Sequence, residues 1–309
     1  MSGKVAFLGM GGAITTAAFW TLYKHNVNIV GLVKPYPFYE KDPPTKTRHH
    51  RGHWWKKVMH EEPFLDAHSM RQVIPPLGID MLETVNANHP HVIGWLKRRK
   101  PDVICVASYP HIFKKDLLAV AKKGFINFHP SPLPYYRGPN PLFWMFKQGA
   151  KEAGATIHFL DRGIDTGAII HQVKLPIEDG MRGRDLNKQL AEHGAPLFLQ
   201  AVLETLNDTV QSHPQIKAEG SYQTRASDDD CKLDPSEPAQ TLYNFVRGVS
   251  QWMPLTYELE EHKFVVIDAI SVHKGEHIPG EFLFFDNVLT LQCPDGIVKL
   301  KANTAYPTI

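Results

Sequence analysis

The chain predicts a Rossmann-like α/β domain with a mainly parallel sheet, followed by a small C-terminal β-barrel. Three observations carry this. Lys4–Gly9 (KVAFLG) is an apolar run, followed by a helical pattern over Ala13–His25 and a second apolar run, Val27–Val33. That β-α-β order suits a parallel sheet with crossover helices. Asp102–Ala107 reads DVICVA, the apolar pattern of a central parallel strand covered on both faces. Beyond residue 222, short alternating runs broken by Gly, Pro and Asn have the spacing of a small barrel.

Bulk properties bound the function. At 309 residues the chain has room for one large and one smaller domain, and 43% apolar with 21% charged residues is an ordinary globular composition. No apolar run approaches the roughly 20 residues of a membrane span, and MSGKVAFLGMGG carries no signal-peptide pattern. A cytoplasmic location without a membrane partner is expected. A net charge of +2 argues against a dedicated nucleic-acid binder. Cys105, Cys231 and Cys293 are too scattered for a metal site or a disulfide framework. Cys105, in VICVA, reads as a small buried apolar residue.

After the second apolar run comes a basic loop, Lys41–Lys57 (KDPPTKTRHHRGHWWKK). It reads as a solvated loop, with a polyanion surface as the alternative. Its His49, His50 and His53 have no carboxylate or Cys beside them to complete a site, so no metal is expected. Val73-Ile74 reads as a short strand. Two helical stretches follow, interrupted by Pro90, with Val92, Ile93 and Leu96 on an apolar face. Lys114–Lys123 reads as a helix, Phe125–His129 as the next strand and Pro141–Gly149 as a helix. Ala155–Leu160 and Ala168–Leu175 read as paired strands around the turn DRGIDTG. A helix from Arg184 to Leu206 closes a catalytic domain spanning residues 1–206. Residues 207–222 read as a linker and 223–309 as the second domain, with an amphipathic helix over Pro238–Val249. Strands are expected at Leu255–Leu259, Phe264–Ile270, Gly280–Phe285, Val288–Gln292 and Gly296–Lys301.

Gly9-Met10-Gly11-Gly12 raises a dinucleotide site and hence an NAD(P)-dependent oxidoreductase. The fingerprint wants a small residue where Ile14 stands and an acid where Lys34 stands, so turn glycines are the favoured reading.

The stretch FINFHPSPLPYYRG holds the chemistry. Asn127 and His129 share one face of a strand and project from its carboxyl end, where open α/β sheets place ligands. Asp165 lies in the glycine-flanked turn Gly163–Gly167, whose backbone can approach a neighbouring loop closely. An amide, an imidazole and a carboxylate at one point suit acyl transfer: the last two handle a proton while the amide N–H stabilises an oxyanion. The same residues also read as a loop cap, a satisfied core histidine and a turn former, and spacing alone leaves both readings open.

FINFHPSPLPYYRGPNPLFW followed by GATIHFLDRGIDTGAII resembles the N10-formyltetrahydrofolate-dependent formyltransferases, which include methionyl-tRNA and amino-sugar formyltransferases. The family's Asn-x-His falls on Asn127 and His129, its Ser-Leu-Leu-Pro on Ser131–Pro134, its Tyr-Arg-Gly on Tyr136–Gly138 and its Asp-x-Gly on Asp165–Gly167. Pro132 departs from the usual leucine, and residues 223–303 resemble the small, OB-like barrel of many members. The resemblance implies N10-formyltetrahydrofolate as formyl donor. It gives catalytic roles to Asn127 (oxyanion), His129 (proton transfer and oxyanion) and Asp165 (orienting the imidazole, accepting the amine proton). It implies a pterin slot between Ser108, Tyr109, His111 and Ile112 on one side and Leu160, Asp161 and Ile164 on the other. Tyr136 and Arg137 either position the acceptor or brace the loop.

The acceptor is less determined. LGMGGAITT lacks the Gly-Thr-Pro-x-Phe turn typical of methionyl-tRNA formyltransferase, QWMPLTYE lacks its proline-glycine turn, and KANTAYPTI forms no basic tail. A small-molecule amine, either an amino sugar or a biosynthetic intermediate, is therefore preferred, with methionyl-tRNA as the alternative and formyltetrahydrofolate hydrolysis as another. Tyr39, Trp54 and Trp55 offer stacking surface for a nucleotide-linked sugar or simple packing. Oligomeric state is left open.

Overall fold

The computed structural model describes residues 3–36, 47–52, 62–66, 68–216 and 219–304. Tyr39, His53, Trp54, Trp55 and most of the basic loop lie outside them. Contacts divide the chain into two compact units. The first comprises Met1–Arg137, Gly154–Lys174 and Lys188–Ser221, and the second Gly138–Ala153, Leu175–Asn187 and Tyr222–Ile309.

The described chain holds thirteen strands and seven α-helices. The first part runs β1 (Lys4–Gly9), α1 (Ala13–Lys24), β2 (Asn28–Pro35), β3 (Arg48–His50), α2 (Met70–Val73), β4 (Met81–Thr84), α3 (Pro90–Arg99), β5 (Val103–Ala107), α4 (Lys115–Leu118) and β6 (Phe125–His129). Then come α5 (Pro141–Lys147), β7 (Glu152–Phe159), β8 (Ile169–Pro176) and α6 (Gly183–Leu206). The remainder is α7 (Ala239–Val249), β9 (Leu255–Leu259), β10 (His262–Lys274), β11 (Phe282–Phe285), β12 (Val288–Cys293) and β13 (Gly296–Thr304).

An eight-stranded sheet has the order β3-β4-β2-β1-β5-β6-β7-β8. The pairs from β4 to β6 are parallel, and β3 and β7 join antiparallel. Every residue of β5 and β6 is buried. For β5 the cause is the apolar run itself, and burial pushes the Cys105 thiol pKa up. The β6 strand divides its side chains. Phe128 packs on Phe198 of α6, where a Cβ on Gly194 would stand 2.2 Å from the Phe128 ring. Phe125 joins the opposite core with Phe113, Leu117 and Trp95.

Four local expectations change. Val73 and Ile74 are helical, because Met70, Val73 and Ile74 turn into the core at helical spacing. Met81–Thr84 is a strand, its four residues buried where it pairs with β2. Pro90 begins α3 instead of interrupting a helix, a position where its missing N–H costs nothing. The helix expected over Lys114–Lys123 is a single turn, α4. At the first glycines, Gly11 (φ 105°) and Gly12 (φ 94°) need conformations that other residues avoid, and the Gly12 N–H donates to the Leu65 carbonyl at 2.7 Å. Lys34 is fully buried on Glu83 (2.9 Å), so the place of a ribose-binding acid holds an internal ion pair.

In the second unit, β11-β12-β13-β10-β9 form an antiparallel half-barrel. Phe264 on β10 meets Phe282 and Phe284 on β11, and Tyr257 on β9 meets Phe282, so the edge strands curl toward each other. The α7 helix buries Leu242, Phe245, Val246 and Val249. Among the described residues, no helix is long and apolar enough to cross a membrane.

Candidate active site

Asn127 and His129 end β6, 8% and 6% exposed, on the face opposite Ile126 and Phe128. The antiparallel β6–β7 register sets His158 across from Asn127 and Thr156 across from His129. Two strands thus carry polar residues at alternate positions and present them to each other.

His158 is fully buried, and burial lowers its pKa to about 4, against the pull of the Asp165 carboxylate. The ring is therefore neutral near pH 7. Its Nδ1 lies 2.8 Å from the Phe159 carbonyl, which only accepts, so Nδ1 carries the proton. Nε2 is then an acceptor, and it takes a hydrogen bond from Asn127 Nδ2 at 3.0 Å. This contact orients the Asn127 amide and uses one of its two N–H groups.

His129 is held in a similar way. Its Nε2 donates to the Tyr136 carbonyl at 3.1 Å, which leaves Nδ1 toward Asp165 Oδ2, 3.8 Å away. The other carboxylate oxygen, Oδ1, stands 3.7 Å from His158 Nε2. Asp165, whose side chain is 13% exposed, therefore faces two imidazoles that lie perpendicular to each other. A proton on His129 Nδ1 turns the approach into an ion pair.

The loops around this group are held by backbone and buried hydroxyls. A Cβ on Gly167 would lie 1.8 Å from the Phe159 carbonyl, so glycine alone lets the turn close on β7. Gln215 donates to the Asp165 and Gly167 carbonyls, both at 2.8 Å. The Thr156 hydroxyl donates to the Ser131 carbonyl (2.6 Å) and accepts from the Leu133 N–H and Gln172 Nε2. Ser221 Oγ accepts from the Tyr136 N–H, and the Ser221 carbonyl accepts from the Arg137 N–H. Arg137 Nε also reaches that carbonyl, at 3.4 Å, and burial raises the Tyr136 pKa. Ser108, Tyr136 and Asp165 all have φ near +55° (53°, 57° and 52°), a conformation that costs about 1–3 kcal/mol for a side-chain-bearing residue.

The residues expected to form a slot are also placed. Tyr109 and Leu160 both pack against the Phe125 core, and the Leu160 N–H donates to the Phe125 carbonyl. Tyr109 packs edge-on to His111, and its hydroxyl is buried without a hydrogen-bond partner among the described residues. Burial lowers the His111 pKa. Ile112 is exposed and Ile164 half-buried. The Asp161 carboxylate turns into its own loop, accepting from the Gly163 N–H and the Thr166 hydroxyl, so it shapes the turn. His158, Thr156, Gln172, Gln215 and Ser221 received no role from the sequence. The signal available was the Thr156–His158 alternation, which repeats that of Asn127 and His129.

Residues 22–202 match the sequence family of formyl transferases. Over 228 residues the chain is 31% identical to the methionyl-tRNA formyltransferase of Ruminiclostridium cellulolyticum, covering 72% of this chain and 73% of that one. This chain belongs to the formyl transferase family. The formyl transferase is also 32% identical over 235 residues to the methionyl-tRNA formyltransferase of Syntrophomonas wolfei, with 75% and 74% covered. Its fold is shared with an N-formyltransferase from Helicobacter canadensis solved with folinic acid and dTDP-3-aminofucose. That likeness has a TM-score of 0.70 at 19% identity and covers 98% of this chain and 100% of the other.

Proposed function

We propose that the enzyme transfers the formyl group of N10-formyltetrahydrofolate to the primary amine of a small molecule, of the amino-sugar or biosynthetic-amine class. The observation that carries the chemistry is the oriented group Asn127–His158 and His129–Asp165 at the end of β6. The remaining N–H of Asn127 donates to the formyl oxygen as it gains negative charge. The amine attacks as the free base, and its proton passes to Asp165 or to His129 Nδ1. The tetrahedral intermediate then collapses with cleavage of the bond to folate N10, which takes up that proton. His158, neutral with its proton on Nδ1, leaves this traffic and keeps the amide in place. The pterin reading is supported by the loops Ser108–Ile112 and Leu160–Ile164 and by the Tyr109 hydroxyl, a buried polar group without a hydrogen-bond partner among the described residues.

For the acceptor, the amino-sugar class is supported by the Helicobacter canadensis likeness, which spans nearly the whole chain. Methionyl-tRNA is the second reading, supported by relatives above 30% identity that act on it. Consumption of formyltetrahydrofolate measured separately with dTDP-linked amino sugars and with initiator methionyl-tRNA decides between them. Turnover with the tRNA alone overturns the first reading, and formate release without any amine assigns a hydrolase.

A further inference from the structure

A cleft of about 690 Å³ opens beyond the carboxyl end of β4, lined by His49, His89, His91, Trp95, Arg98 and Arg99 among others. This is the edge of an open α/β sheet at which ligands bind, and the volume is that of a small-molecule site. Among the described residues, none that lines it is a carboxylate. His91, Trp95 and Arg98 recur at helical spacing on α3, so one helix face supplies one side of the wall.

The wall is preformed. The Arg99 guanidinium stacks on the Trp95 ring at 3.4 Å and donates to the Val30 carbonyl, and a Cβ on Gly31 would stand 2.6 Å from the Trp95 ring. Asp80 lies behind, joined to Arg99, to the Gly52 N–H (2.7 Å) and to His49 (3.7 Å). Burial works to raise the Asp80 pKa, but Gly52 and Arg99 hold it low. That carboxylate is committed to the floor. Arg98 makes no ion pair among the described residues, and its like charge adds to the lowering of the Arg99 pKa that burial causes. His91 and Arg98 are separated by seven residues, roughly 10 Å along the helix at about 1.5 Å per residue. Two linked phosphates bridge that span with a donor at each end.

We infer that this cleft binds the phosphates of a nucleotide-sized ligand, at a site apart from Asn127, His129 and Asp165. The ligand is either a free nucleoside diphosphate or the diphosphate portion of a nucleotide-linked acceptor. Guanidinium and imidazole N–H groups donate hydrogen bonds to phosphate oxygens, and a cleft of about 690 Å³ has the volume for the nucleoside as well. The binding test needs no turnover; only the choice between the two sources rests on the formyl-transfer reading.

Calorimetric titration of the full-length enzyme with pyrophosphate, dTDP and thymidine tests it, with circular dichroism as the check on folding. Pyrophosphate and dTDP bind and thymidine alone does not. Arg98→Glu and His91→Glu, both at exposed positions, weaken pyrophosphate binding by about tenfold or more, while Asn127→Ala leaves it unchanged. In kinetics, dTDP that competes with the amine assigns the site to the acceptor's diphosphate, and dTDP that binds without competing assigns it to a free nucleotide; either result supports the site. The inference is overturned if neither phosphate compound binds, if the charge reversals bind like the parent, or if Asn127→Ala removes binding. Displacement of dTDP by folinic acid, or binding of tRNA alone, overturns it as well.

Discussion

At the carboxyl end of β6 the polar side chains hold one another, whereas at the carboxyl end of β4 the cationic ones line an open cleft. Around Asn127 the hydrogen-bonding directions are set before any substrate arrives: His158 turns the amide, and the Tyr136 carbonyl turns His129. Around Arg98 the wall is held by Trp95, Arg99 and Asp80, and among the described residues the lining carries no carboxylate to match the charge that faces the cleft. On the proposed readings, the difference is that between a site for reaction, where reorganisation must be small, and a site for attraction, where net charge does most.

The largest way to break this comparison is at the groups proposed to react. Asn127→Ala and Asp165→Asn should each lower kcat by about a thousandfold, close to 4 kcal/mol of transition-state stabilisation, with pyrophosphate binding intact. Steady-state kinetics with the identified amine measures it, and near-parental kcat in both variants removes the site assignment.

His158 gives the next effect, through pH. Its native pKa is about 4, against about 6.5 for an unfolded imidazole. Between those values the unfolded chain holds a proton that the native ring does not. Stability therefore falls as pH drops from about 6.5 to about 4, by up to roughly 3 kcal/mol, and is fully present above that window. Urea unfolding across this range should show the decline in the parent, and His158→Gln should lose that part of it. An identical pH profile in the variant would show that His158 is not neutral in the fold.

Thr156→Val tests whether the proline loop depends on the buried hydroxyl. The variant leaves the Ser131 carbonyl and the Leu133 N–H without that partner, so it should lose about 2 kcal/mol of stability and some kcat. Thermal unfolding reads the first and turnover the second. The smallest effect sharpens the contrast: Arg98→Glu should weaken pyrophosphate binding about tenfold yet leave Tm nearly unchanged, as an exposed charge without an ion pair among the described residues would.

Much of the β6 site was legible because strand alternation is a local property. Asn127 and His129 had to share a face once Phe125–His129 was a strand, and Gly167 had to allow a close approach. The partners that orient them were not legible. His158 and Thr156 reach them only through the β6–β7 register, and Ser221 and Gln215 through a stretch read as a linker. The errors in the fold have the same origin. Met81–Thr84 is too short to declare itself, and it is a strand because β2 lies beside it. Val73–Ile74 has β-branched residues that favour a strand, and packing of Met70 and Val73 overrode them.

By itself, then, the sequence determined the parallel α/β order, the antiparallel second unit and the identity of three polar groups at a strand end and a tight turn, since each depends on neighbours within a few positions. Only the tertiary structure decided which hydrogen each amide and imidazole spends, and on what. Those choices are made by groups some thirty residues away whose positions follow from burial and register. The cleft at β4 belongs to the same class: its histidines and arginines were visible as a basic loop and a helix, but their common wall exists only once α3 lies on Gly31.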